Sequence, residues 1–179
     1  MRRYIAFLRA INVGGHTVKM DYLRQLFESL GFSNVETFIA SGNVLFETNS
    51  KKGDDLEKQI EVKLRDSLHY VVTTFIRTDA ELKAITDYKP FPQSQLDAAT
   101  AFNIAFLKGP PDAASKNKVM SLRTAIDDFQ IHGRELYWLC QKKQSESTFS
   151  NAVLEKTLRK PSTLRGGETV KKIAAKYEL

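Results

Sequence analysis

Between Tyr4 and Arg9 the chain reads YIAFLR, a run of aromatic and aliphatic residues long enough for one strand, ended by the polar, glycine-bearing stretch Asn12 to Gly15. From Met20 the period changes. Leu23, Leu26, Phe27 and Leu30 fall at i, i+3, i+4 and i+7, the apolar stripe of a helix, and Gly31 stands where a left-handed C-terminal cap belongs. Val35 to Ala40 and Val44 to Phe46 are strand formers joined by Ser41-Gly42-Asn43, whose glycine suits a tight hairpin. Asp54 is placed to cap a second helix, in which Leu56, Ile60, Leu64 and Leu68 recur every four residues, and Val71 to Ile76 returns to strand. This part of the chain predicts β-α-β-β-α-β, the ferredoxin-like order.

Thr78 and Glu81 have the spacing of a capping box and open a short helix through Leu82 and Ile85, which ends before Pro90-Phe91-Pro92. Ala101 to Leu107 is an apolar strand broken by Gly109-Pro110-Pro111, and a helix through Val119 and Leu122 comes next. Phe129 to His132 and Glu135 to Cys140 form a second hairpin about Gly133, and Ser147 to Leu158 reads as helix. The second half is thus β-α-β-β-α, the first half's order without its last strand. A closing helix from Glu168 to Tyr177 gathers Val170, Ile173, Ala174 and Tyr177 on one face. The pattern predicts an α+β fold of two ferredoxin-like subdomains, residues 1–78 and 79–179, the second carrying a basic helical C-terminal segment. Duplication is inferred from element order alone, since residue-level identity between the halves is negligible.

Composition narrows the class. At 179 residues, 42% hydrophobic and 27% charged, the chain has the balance of a soluble domain with a substantial core. No apolar run approaches the roughly 20 residues of a membrane span, and the N-terminus lacks the apolar region and cleavage site of a signal peptide, so the expected location is cytoplasmic and no membrane partner is expected. Cys140 has no second cysteine to pair with and reads as a small core residue; His16, His69 and His132 are too scattered for a metal site, and no cofactor is implied. Asp127-Asp128 reads as turn carboxylates, and Trp138, alternating with Leu136 and Cys140, as core. The net charge of +6 is concentrated beyond Gln141, where nine lysines and arginines face four carboxylates, and a basic end of this kind attracts phosphate-bearing partners.

In a ferredoxin-like sheet the end of the first strand, the start of the first helix and the turn between the second and third strands share one edge. That edge would hold Arg9, Asn12, Gly14, Gly15, Ser41, Gly42 and Asn43. Glycines let backbone N–H groups approach a ligand, a helix N-terminus carries partial positive charge, and arginine adds a forked cation. Together they suit an anion, most simply phosphate. The same residues also have a structural role open to them: Gly14-Gly15 as a chain turn, Ser41-Gly42-Asn43 as a hairpin, Arg9 paired with an acid. Neither the phosphate-loop nor the dinucleotide fingerprint is present, and no nucleophile or acid–base constellation can be assembled, which leaves catalysis unassigned.

The runs YIAFLRAINVGG, LFESLGF and IASGNVLF, with GRELYWLC from Gly133 and TLRGGETVKKI from Thr163, resemble a mostly bacterial family known only as domain-of-unknown-function family 1697, whose members carry LLRGINVGG and SGNVVF-like signatures. The resemblance implies two ferredoxin-like halves and adds Arg165, next to matching Thr163, Thr169 and Val170, to the candidate ligand-binding residues. Ala10 stands where the family has glycine, and Gly166-Gly167 where it has Asn-Trp. Three functions fit. The first is binding of a phosphate-bearing small molecule or nucleic acid. The second is an enzyme acting on an anionic substrate in a cleft between the subdomains, and the third a protein-interaction module.

Overall fold

A computed structural model of the protein describes residues 1–39, 42–50 and 52–178. The first elements in chain order are β1 (Arg2–Leu8), α1 (Met20–Glu28), β2 (Ser33–Thr37), β3 (Asn43–Thr48), α2 (Gly53–Leu68), β4 (Thr74–Thr78) and α3 (Asp79–Asp87). β1 lies between β3 and β4, antiparallel to both, and β2 extends the sheet beyond β3, giving the order β2-β3-β1-β4. Alternation along β1 sends Tyr4, Ala6 and Leu8 into a core with Leu23 and Phe27 of α1 and Leu56, Ile60 and Leu64 of α2. Each such large aliphatic or aromatic side chain, fully buried, contributes about 1.5–3 kcal/mol of transfer free energy. α2 begins at Gly53 with Lys52, not Asp54, at its N-cap position; Asp54 and Asp55 occupy the first turn, where carboxylates favour the helix dipole. The capping box at α3 forms as its spacing predicts. Glu81 Oε2 accepts from the Thr78 N–H at 2.8 Å, and Thr78 Oγ1 accepts from the Glu81 N–H at 3.1 Å.

The chain divides into two compact units, one of Met1–Lys83 with the chain end from Tyr177, the other Ala84–Lys176. In the first, the Tyr177 hydroxyl donates to the Tyr4 carbonyl at 2.9 Å and the Arg3 guanidinium lies 4.9 Å from its ring centre. Burial pushes that hydroxyl well above the usual tyrosine range, with Arg3 pulling the other way.

The second unit holds α4 (Gln93–Ala98), β5 (Ala101–Leu107), α5 (Ala113–Met120), β6 (Asp127–His132), β7 (Glu135–Cys140), α6 (Asn151–Leu158), β8 (Ser162–Gly166) and α7 (Gly167–Lys176). Its sheet runs β6-β7-β5-β8, the topology of the first. β8 is the strand the hydrophobic pattern omits, so the second β-α-β-β-α-β unit is complete. Trp138, Leu136 and Cys140 face a core with Val119 of α5 and Leu154 and Leu158 of α6. Ser147 precedes α6 rather than starting it, and Ser150 caps it, its side chain accepting from the Val153 N–H.

Residue-level identity, negligible along the chain as a whole, is concentrated at the centre of the two sheets. Ile5-Ala6-Phe7-Leu8 and Ile104-Ala105-Phe106-Leu107 are identical and occupy the same register. Ile5 faces Leu45 and Arg77, and Ile104 faces Tyr137 and Arg165. Arg77 and Arg165 are therefore equivalent positions, both buried, and each donates through Nη1 to the carbonyl of the residue before it at 2.8 Å. Among the described residues no helix is long and apolar enough to cross a membrane, and no cluster of His, Cys, Asp and Glu could hold a metal ion.

Candidate functional site

β1 ends at Leu8, and eleven residues, Arg9 to Lys19, pass before α1 begins. The loop is tied down at several points. The Arg9 N–H donates to the Thr73 carbonyl at 2.9 Å, and Asn12 Oδ1 accepts from the Val18 N–H at 2.8 Å. The Tyr70 hydroxyl donates to the Ile11 carbonyl at 2.8 Å, and the His16 ring stacks on Tyr70 with centroids 3.9 Å apart. Burial raises the Tyr70 hydroxyl above its ordinary range. Ile11 and Val18 are buried anchors, while Asn12 to Thr17 is exposed.

Gly42, just before β3, packs directly against this loop. The Leu8 N–H donates to the Gly42 carbonyl at 2.8 Å, and a Cβ on Gly42 would stand 2.8 Å from Ile11 Cγ2. Asn43 is the first residue of β3, buried, with Nδ2 donating to the Phe38 carbonyl at 3.0 Å. Arg9, Asn12, Gly42 and Asn43 are thus on one edge, as the topology predicts, with Gly14 and Gly15 exposed on the same loop. Ser41, with Ala40, lies outside the described residues. Asn12 and Asn43 each have an identified structural bond. No atom lies within 4 Å of where a Cβ on Gly14 or Gly15 would sit, so their backbone is open to approach.

The edge stores backbone strain. Ala10 and Ile39 join Gly14, Gly15 and Gly42 at positive φ, Ala10 at 57° and Ile39 at 58°, and a β-branched residue there is a true outlier. Strained, over-determined backbone gathers at ligand clamps and switch regions. A glycine at position 10 would adopt that angle without strain. Ala10→Gly is expected to stabilise the first unit by about 0.5–1 kcal/mol, because the left-handed conformation costs an L-residue roughly 1–2 kcal/mol, less the part offset by the freer unfolded chain. A raised urea midpoint at unchanged m-value checks it.

The loop is basic: Arg9 and Lys19 are its only charged residues apart from His16 when protonated, and it contains no Asp or Glu. Lys19 sits at the N-cap of α1 and makes no side-chain cap. Lys19, Tyr70 and His16 are the members of this edge that motif reading passes over. The signal available was the absence of any Ser, Thr, Asp or Asn at the residue before α1.

Arg165 belongs to the second unit. It is buried on β8, Nη1 donating to Thr163 Oγ1 and to the Leu164 carbonyl, both at 2.8 Å. Loss of water around the guanidinium lowers its pKa to about 10, which leaves it charged at neutral pH. Its equivalence to Arg77 was legible only through the shared register.

The family model described as "Protein of unknown function (DUF1697)" matches residues 1–137, which includes the whole Arg9–Lys19 edge and excludes Arg165. A conserved bacterial protein, SP0830 from Streptococcus pneumoniae, has a similar structure, with a TM-score of 0.83 over 100% of this chain and 99% of that one at 22% identity; it shares the fold. No match was found among curated proteins.

Proposed function

We propose, for a chain that belongs to the DUF1697 family of unknown function, that the Arg9–Lys19 edge of the first unit binds a phosphate-bearing ligand, a nucleotide or single-stranded nucleic acid. The observation that carries this reading is an acid-free, doubly cationic loop held by the Asn12 and Tyr70 bonds, with the backbone of Gly14 and Gly15 facing open space. Backbone amides and an arginine in such a loop bind phosphate oxygens through charge-assisted bonds.

The duplicated unit supplies a contrast. α5, the counterpart of α1, is capped by Asp112, whose carboxylate accepts from the Ser115 N–H at 2.7 Å and is held below the usual carboxylate range mainly by that bond. A built-in anion already sits at that helix start. At α1 the equivalent position is Lys19, which makes no side-chain cap, and the carboxylate in that helix's first turn, Asp21, is paired with Arg24 at 3.4 Å.

Titration with inorganic phosphate, ATP and a labelled single-stranded RNA at about 50 and 200 mM salt tests the reading, since affinity that rests on phosphate contacts falls steeply between those concentrations. Arg9→Ala is expected to weaken the bound ligand by about tenfold or more, the loss of one hydrogen bond to a charged group. Absence of binding by all three probes at the lower salt, or an Arg9→Ala protein that binds as well as the parent, overturns it.

A further inference from the structure

The second unit contains a cleft of 180 Å³ on the sheet face opposite α5 and α6, walled by Tyr88, Phe102, Ile104 and Tyr137 and closed by the first turn of α7. Phe102 and Tyr137 are nearly parallel, 13° apart with centroids at 6.4 Å, and Tyr88 leans on Tyr137 at 5.0 Å. Phe91 meets Phe102 edge-on at 6.5 Å. Gly167 keeps the wall in place: a Cβ there would stand 2.5 Å from Phe102 Cδ1, so only glycine lets the ring lie against the start of α7. The volume is below the roughly 300–1,000 Å³ of clefts that take drug-sized ligands, so it holds one ring with a short polar tail.

Four charged groups line the opening. Lys171 and Glu168 neutralise each other, Nζ to Oε1 at 3.1 Å. Lys89 and Asp97 do not take part in any ion pair among the described residues; Asp97 accepts from the Gln93 side-chain amide, at 2.8 Å. An aromatic wall with one unpaired cation and one unpaired carboxylate at its mouth is complementary to a zwitterion carrying a ring. We propose that this cleft binds a free aromatic α-amino acid, its ring against Phe102 and Tyr137, its carboxylate toward Lys89 and its ammonium toward Asp97. A dianionic phosphate fits the charge balance less well, because Asp97 and Glu168 face the same opening.

Calorimetric titration of the full chain with L-phenylalanine, phenethylamine and 3-phenylpropionate separates the contributions. The amino acid is expected to bind, and each truncated analogue, lacking one charge, to bind at least fivefold more weakly. Lys89→Met should weaken L-phenylalanine while leaving phenethylamine unchanged, and Asp97→Asn should weaken it while leaving 3-phenylpropionate unchanged. Both positions are exposed, so melting temperatures that match the parent confirm that the fold is intact. No heat from L-phenylalanine at millimolar concentration, analogues that bind as tightly as the amino acid, or variants that bind it as the parent does, overturns the proposal. None of these readouts involves Arg9, so this result and that of the phosphate titration are independent.

Discussion

Replacing Asp127 with alanine is expected to destabilise the second unit by about 3–5 kcal/mol, because the carboxylate is a buried acceptor shared by three donors. Asp127 Oδ1 accepts from Trp138 Nε1 at 2.9 Å, the Ser147 hydroxyl reaches both oxygens at 2.9 and 2.8 Å, and Thr124 Oγ1 donates to Oδ2 at 3.0 Å. The bonds join β6, β7 and the segment leading to α6. Truncation leaves the indole N–H of a fully buried tryptophan without its acceptor and opens a void beside it. Asp128 is the internal control. It is half-exposed and paired with Arg123 at 2.9 Å, and a surface pair of that kind contributes about 0–1 kcal/mol. Urea unfolding of the two alanine variants should separate them by several kcal/mol. Equal losses would mean the network does not hold the unit together. Asp127→Asn keeps one acceptor for the indole and should fall between them.

Gly42→Ala is expected to cost the first unit about 2–4 kcal/mol. The residue sits at φ +77°, where an L side chain is strained by roughly 1–2 kcal/mol, and the added methyl would meet Ile11 Cγ2 at 2.8 Å and Leu8 Cβ at 3.1 Å. Gly14→Ala has the first penalty without the second, since nothing lies within 4 Å, and should cost only about 0.5–1 kcal/mol once the stiffer unfolded chain is counted. The pair therefore divides stability from recognition. Gly42→Ala displaces Ile11, whose carbonyl anchors the loop to Tyr70, so it should lower both stability and phosphate affinity. Gly14→Ala should lower affinity out of proportion to its small effect on unfolding. A Gly14→Ala protein that binds phosphate probes as the parent does would remove Gly14 from the binding edge.

The features legible in the sequence are the local ones. Ala101 to Leu107 and Glu135 to Cys140 are apolar runs whose ends the structure reproduces, and the capping box at Thr78 and Glu81 is complete within four residues. β8 was not legible. Its buried members include Ser162, Thr163 and Arg165, with Leu164 its only aliphatic residue, so a search for apolar alternation passes over it. Asp127 reads as a turn carboxylate because its main partners, Trp138 and Ser147, are 11 and 20 residues away. On the candidate edge the sequence and topology together place Arg9, Asn12, Gly42 and Asn43. The strain at Ala10 and the contact of Gly42 with Ile11 exist only once β3 is laid against β1.

The identical Ile-Ala-Phe-Leu strands at the centre of both sheets act as a common chassis, and the segment after each strand behaves as an exchangeable cassette. After Leu8 come eleven residues with two cations and no acid; after Leu107 come five, ending in a carboxylate that caps its own helix. Inheritance of two copies allows one to keep the shared strand register while the other tries new loop chemistry, with each sheet's central packing untouched. Divergence between the two units of one chain should therefore be greatest in the segment between the first strand and the first helix, where the first unit keeps Ile-Asn-Val-Gly-Gly and the second has Lys-Gly-Pro-Pro-Asp.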